Sequence, residues 1–125
     1  MYRITSDDAE ICYEVTGSGP PVVLLHPFPA NHELWHPIAQ MLASRYRMIM
    51  PDLRGHGESS LGTGPATIQK HAFDIAHIMD AAGADRAALI GVSIGGVTRA
   101  YPVRYLAFHH MLNDQLGRVM LLPTY

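Results

Sequence analysis

Cysteine is almost missing from this chain: Cys12 is the only one, which excludes an internal disulfide and fits a reducing compartment. Cys12 itself is expected on a strand rather than in a site. Neither sign of charge is in excess, with 9 Lys and Arg against 11 Asp and Glu, so no affinity for nucleic acid or an anionic membrane is implied. No apolar run reaches membrane-spanning length, and Met1-Tyr2-Arg3-Ile4-Thr5-Ser6-Asp7-Asp8 lacks the apolar stretch of a secretory leader. Internal repeats, low-complexity tracts and linkers are also missing. The chain is expected to be cytoplasmic. Its 125 residues, 48% of them apolar, are expected to form a single domain over 1–125, with a real core but no room for a large enzyme.

What is present is an alternation of short apolar runs and amphipathic segments. Residues 2–5 and 10–15 read as an antiparallel hairpin around Asp7-Asp8, and Gly17-Ser18-Gly19-Pro20 separates it from the next strand. Strands are predicted at 21–26, which is short and fully apolar, and at 46–51. A helix over 36–44 places Trp35, Ile38 and Leu42 on one face. The clearest helix covers 67–82, with Ile68, Ala72, Ile75, Met79 and Ala82 spaced alternately by four and three, and Gly83 stops it. Strands alternating with such helices predict an α/β fold whose mostly parallel sheet is covered on both faces.

The most specific motif is Gly91-Val92-Ser93-Ile94-Gly95-Gly96, directly behind the apolar strand Ala87-Ala88-Leu89-Ile90. A strand that ends in Gly-x-Ser-x-Gly and turns into a helix is a nucleophile elbow, with the serine strained and its hydroxyl exposed. Glycines two positions before and after it are expected because strand and helix pass too closely for a side chain. A glycine-rich turn in some other α/β protein is the alternative. Two upstream blocks weigh against that alternative. Pro21-Val22-Val23-Leu24-Leu25-His26 runs into Pro27-Phe28-Pro29-Ala30-Asn31, with Trp35 beyond. Tyr46-Arg47-Met48-Ile49-Met50-Pro51 runs into Asp52-Leu53-Arg54-Gly55-His56-Gly57-Glu58-Ser59.

With these blocks in this order, the chain resembles the α/β-hydrolase family, in particular the amino-terminal part of its lipase, esterase and enol-lactonase-like branch, over about residues 10–96. The resemblance implies a truncated α/β-hydrolase sheet of about six strands with an amino-terminal antiparallel hairpin. It implies a serine hydrolase that cleaves small, mostly apolar esters or lactones through an acyl-enzyme on Ser93, with no cofactor and no metal. One oxyanion donor would be the backbone N–H of Ile94, the other that of Phe28. Pro27 stands where the family carries glycine; proline removes its own N–H but leaves that of Phe28 available. His26, Gly91, Gly95 and Gly96 would be structural around the site. Asp52 and Arg54 would fix loops by ion pairs, with Gly55 and Gly57 permitting the turn. A phosphate-binding loop is not indicated, because the spacing is not that of a Walker loop.

His32-Glu33-Leu34-Trp35-His36 matches the H-E-x-x-H pattern of zinc peptidases, in which two histidines one helical turn apart hold the metal beside a glutamate base. Pro37 disfavours helical geometry at His36, so the imidazoles are not expected to share a face. His71 with His77, and His109 with His110, read as exposed helix residues.

After Gly96 the resemblance decays. The family's catalytic acid and histidine, which follow later strands, have no match in 97–125. Tyr101-Pro102 interrupts the helix that should follow the elbow. A kinked helix from Ile94 reaching Asn113, then a strand at 118–122, is expected; a strand beginning at Tyr101-Pro102-Val103-Arg104 is the alternative. Asp114, His109 and His110 would lie on the helix leading away from Ser93. The chain is therefore expected to be inactive alone, a remnant or non-catalytic binding protein being the alternative class. Self-association through an uncovered sheet edge is also expected.

Overall fold

In the computed structural model, residues 1–92 and the backbone of 98–104 are described. Turn chemistry opens the fold. Asp7 adopts a positive φ of 55° and reverses the chain between β1 (Tyr2–Ser6) and β2 (Ala9–Gly17), which pair antiparallel. The apolar runs form β3 (Pro21–Leu25), β4 (Arg47–Pro51) and β5 (Arg86–Val92). A sixth strand, β6 (Thr98–Arg104), follows, and the described strands form a sheet of order β1-β2-β4-β3-β5-β6.

Six strands and the amino-terminal hairpin agree with expectation, but the sheet is mixed rather than mostly parallel. Among the described residues β3 with β4 and β3 with β5 are parallel, while β1–β2, β2–β4 and β5–β6 are antiparallel. The parallel pairs are made by strands whose connections carry the helices, and β1 and β2 are antiparallel because the chain turns back directly between them.

Helices cover both faces, as predicted. A 3₁₀ turn (His32–Trp35) leads into α1 (His36–Leu42), which packs on one face with Leu24, Met48 and Met50. On the other face α2 (Ile68–Ala81) meets Ile11, Tyr13, Val23, Ile49 and Leu89. Side chains alternate along each strand, so neighbours such as Val23 and Leu24 serve opposite cores. The apolar face of α1 runs through Trp35, Ala39 and Leu42; Ile38, expected on it, is 42% exposed. Positions 35, 39 and 42 keep the four-then-three spacing of one helical face, and 38 falls beside it. Thr67 caps α2 by accepting from the Lys70 N–H at 3.2 Å. At its other end the Gly83 N–H reaches Asp80 O and the Ala84 N–H reaches Met79 O, a Schellman ending built on the positive φ of Gly83. No described helix is long and apolar enough to cross a membrane.

The helix expected to run from Ile94 to Asn113 is overturned at 98–104, which form β6, with Val92 opposite Thr98. This is the strand alternative, begun three residues earlier than Tyr101. Pro102, which stops a helix, is tolerated in a strand at a sheet edge, where β6 lies among the described residues. The continuation to Asn113 and the strand at 118–122 lie outside the described residues.

One buried ion pair ties the hairpin, the loop after β4 and α2 together. Arg54 uses all five of its N–H groups: Nε and one Nη2 hydrogen go to the two oxygens of Asp74 at 3.0 and 2.8 Å. The others reach Ser6 O at 3.0 Å, Asp8 at 2.8 Å and Leu61 O at 3.4 Å. Hydrogen bonding to Asp74 raises the Arg54 pKa further above its ordinary value, despite burial. Ser6 Oγ donates to Asp74 at 2.6 Å and contacts His77 Nδ1 at 2.8 Å. Removing one partner of such a pair strands a buried charge. Arg54→Met is therefore expected to cost about 3–5 kcal/mol, measured as the loss in urea-unfolding free energy.

Candidate active site

The carboxyl ends of β3, β4 and β5 form one edge of the sheet. The connection leaving β3 crosses to the α1 face and that leaving β4 to the α2 face. Adjacent strands whose connections diverge in this way open a crevice at their carboxyl ends, the usual ligand position in an open α/β sheet. Leu25 of β3 stands opposite Gly91 of β5, so the loop that starts at His26 lies beside the end of the strand leading to Ser93.

His26 is buried and locks that loop. Its Nε2 accepts the Leu53 N–H at 2.9 Å and its Nδ1 lies 2.9 Å from Pro27 O, so the network assigns the ring proton to Nδ1. Burial pushes the His26 pKa below the ordinary imidazole range, although the Pro27 carbonyl opposes this. The loop closes through the Ala30 N–H on Pro27 O at 2.8 Å. Phe28 is 71% exposed, with its ring edge-on to His56. Its backbone N–H has no hydrogen-bond partner among the described residues.

Asp52, completely buried at the end of β4, organises the next loop. Its Oδ1 accepts from the His32 N–H and lies 2.8 Å from His32 Nδ1, while Oδ2 accepts from the Glu58 N–H at 2.9 Å. Burial raises the pKa of this carboxyl, but the bonds from Glu58 and His32 outweigh it and the net shift is downward. Gly57 makes the loop possible: its φ is +51°, and a Cβ there would sit 2.3 Å from the Asp52 carboxylate. At Gly91 a Cβ would meet only Leu25 Cβ, at 3.9 Å, among the described residues. The close approach expected to require glycine there is not made by them.

Ser93, Ile94, Gly95 and Gly96 lie outside the described residues, as do His109, His110 and Asp114. Of the site residues named from sequence, the structure brings together His26, Phe28 and Gly91. His71 and His77 are half-buried rather than exposed, because α2 turns them toward the hairpin and the loop after β4. Burial lowers the His71 pKa, with the neighbouring His56 and Arg54 acting in the same direction.

The expectation at His36 also fails. His36 is helical, with φ −53° and ψ −45°, and Pro37 occupies the first turn of α1. Proline is well placed in a first helical turn, where its missing N–H leaves no bond unmade. The imidazoles of His32 and His36 therefore meet, ring centroids 5.4 Å apart, and a carboxylate from β2, Glu14, joins them. Glu33 is exposed and not part of this cluster. The sequence signal was the H-x-x-x-H spacing; nothing local pointed to Glu14, which arrives from a different strand.

Comparison with known proteins supplies the lineage. A family model described as alpha/beta hydrolase fold matches residues 20–116. A fluoroacetate dehalogenase from Burkholderia sp is 38% identical over 129 aligned positions, which cover 94% of this chain and 40% of that protein. The 3-oxoadipate enol-lactonase 1 of Acinetobacter baylyi is 33% identical, over 65% of this chain and 30% of its own. Among solved structures, the enol-lactonase from Burkholderia xenovorans LB400 superimposes with a TM-score of 0.70 at 28% identity, covering 75% of this chain and 38% of that one. The chain thus spans well under half the length of these relatives.

Two outcomes follow from the loop geometry. Gly57→Ala is expected to cost about 1–3 kcal/mol through left-handed strain plus the clash with Asp52. Gly55→Ala, whose Cβ would meet a movable Leu61 side chain at 3.2 Å, should cost less; paired urea titrations check the order. His26 and His71 have folded-state pKa values below the unfolded one, so the unfolded chain binds more protons as pH falls. Their contribution is present above about pH 6.5 and is lost as pH drops through the folded values. Stability should decline below that pH by at most about 1.4 kcal/mol per unit for each imidazole. In His26→Gln, which can still accept from Leu53 but does not titrate, the decline of urea midpoints with pH should be shallower.

Proposed function

The chain belongs to the alpha/beta hydrolase fold family, and from that premise we propose that Ser93 is the nucleophile of acyl transfer from small, mostly apolar esters or lactones. The observation that carries this is the register of β3 and β5. With Leu25 opposite Gly91, the end of β5 that leads in sequence to Ser93 lies beside the loop bearing Phe28, whose N–H has no partner among the described residues. A serine hydroxyl brought to such a backbone donor would be the minimal arrangement for attacking a carbonyl and holding the oxyanion. Phe28 and Ile94 are the proposed donors; His26, Gly91, Gly95 and Gly96 shape the site.

The relatives include a dehalogenase and an epoxide hydrolase alongside enol-lactonases. Bond chemistry favours the acyl substrates. Attack by a serine hydroxyl on an alkyl halide or epoxide would leave an ether on Ser93, which water does not cleave, whereas an acyl-serine ester is hydrolysed. Peptidase chemistry through Glu33 has no geometric support, since that side chain is exposed and outside the histidine cluster.

The 125 residues contain no matched acid and histidine for Ser93, and the polypeptide by itself is proposed to be a poor catalyst or a non-catalytic relative. Without a general base, serine at its ordinary pKa is a weak nucleophile, and only oxyanion stabilisation and binding remain. A fluorophosphonate probe followed by peptide mass spectrometry should find slow labelling at Ser93, lost in Ser93→Ala. Hydrolysis of p-nitrophenyl acetate by the same preparation should not exceed that of Ser93→Ala. Absence of a Ser93 adduct in folded protein would sink the assignment. Ser93-dependent turnover at ordinary enzyme rates would overturn the inactivity and require a base from among His26, His56 or His109.

A further inference from the structure

We propose that Glu14, His32 and His36 form a binding site for a divalent transition-metal ion of the zinc class, separate from the Ser93 chemistry. Their ligand atoms all lie within 4.8 Å of one another. His32 Nε2 and His36 Nε2 stand 3.4 and 2.6 Å from the same oxygen, Glu14 Oε2. Tetrahedral zinc with bonds near 2.0–2.1 Å sets its ligand atoms about 3.3 Å apart. The His32–Glu14 separation already has that value, and the His36–Glu14 contact has to open by less than about 1 Å.

The protonation pattern points the same way. Asp52 is completely buried, its carboxylate is ionised and only accepts, so it takes the Nδ1–H of His32 at 2.8 Å. With that proton on Nδ1, His32 Nε2 is the ring atom that faces Glu14 Oε2, at 3.4 Å. A carboxylate that fixes the tautomer and orientation of a ligating histidine is the recurrent support of zinc sites. His36 now donates to Glu14, and a metal would displace that proton.

The scaffold is rigid where the ligands need it. His32 is buried, Glu14 projects from the β2 face toward α1, and His36 begins α1. The side chains of His36 and Glu14 are 42% and 33% exposed, which leaves an entry path and room for water as a fourth ligand. Two imidazoles and one carboxylate suit zinc and its neighbours; calcium and magnesium favour all-oxygen sets.

The test uses the tag-free 125-residue chain. Equilibrium dialysis against zinc should give one ion per chain, and cobalt should give the visible bands of a tetrahedral site. His36→Ala and Glu14→Gln, chosen because neither residue is in the core, should each weaken zinc binding by about 10-fold or more, at least the loss seen when even an orienting partner is removed. Both should keep the metal-free circular dichroism spectrum; if His36→Ala does not, the isosteric Glu14→Gln decides alone. No binding at 100-fold excess zinc over protein, or binding that Glu14→Gln leaves unchanged, overturns the proposal.

Discussion

Everything at the carboxyl edge of this sheet depends on a buried guanidinium having a complete set of partners. Arg54 lies within the fold with all five donors engaged by Asp74, Asp8 and the carbonyls of Ser6 and Leu61. A charge taken out of water is tolerable only under that condition. The partners come from β1, the hairpin turn, the loop after β4 and α2, so satisfying one side chain sets the relative placement of four separate segments. Asp8 is held in turn by Thr63, whose backbone N–H and hydroxyl both bind its other carboxylate oxygen. Those bonds keep the Asp8 pKa well below the ordinary carboxylate range, with the Arg54 bond adding to them.

The same network explains how the loop after β4 is held in front of the parallel strands. Arg54 anchors one end and Asp52, two residues earlier, anchors the other through Glu58 N–H and His32. Ser59 closes the loop by donating to Asp52 O at 2.6 Å and accepting from the Cys12 N–H at 2.8 Å. Between the anchors, Leu53 donates to His26 and so steadies the loop after β3. The candidate donor on Phe28 is therefore positioned by buried polar contacts rather than by contacts of its own exposed ring.

Much of this was legible in the sequence, for identifiable reasons. The strands announced themselves as short apolar runs, and α2 by its spacing and its terminal glycine, all local properties of the chain. Tertiary pairing was not local. Asp74 interrupts the apolar face of α2 because Arg54 awaits it, and His77 turns inward because Ser6 does. The histidine spacing before α1 was visible, but the steric argument from Pro37 misjudged its effect. A proline that would break a helix interior instead starts one here. Pro102 misled in the opposite sense: it was expected to kink a helix, and the segment around it pairs as an edge strand.

The clusters around His26 and around Glu14 are joined by covalent neighbours. Asp52 holds His32, Leu53 follows Asp52, and the Leu53 N–H fixes His26, the residue that opens the loop to Phe28. A change at the Glu14 cluster that shifts His32 must either break its bond to Asp52 or carry the end of β4 with it. Because Asp52 is completely buried and its carboxylate is bound on both oxygens, the second course would also disturb Glu58 and the Gly57 turn. Close packing at Gly57 leaves little slack to absorb such a shift. The polar frame that gives His32 its ligand geometry is thus the frame that holds the loop beside the end of β5, and neither can be rebuilt independently of the other.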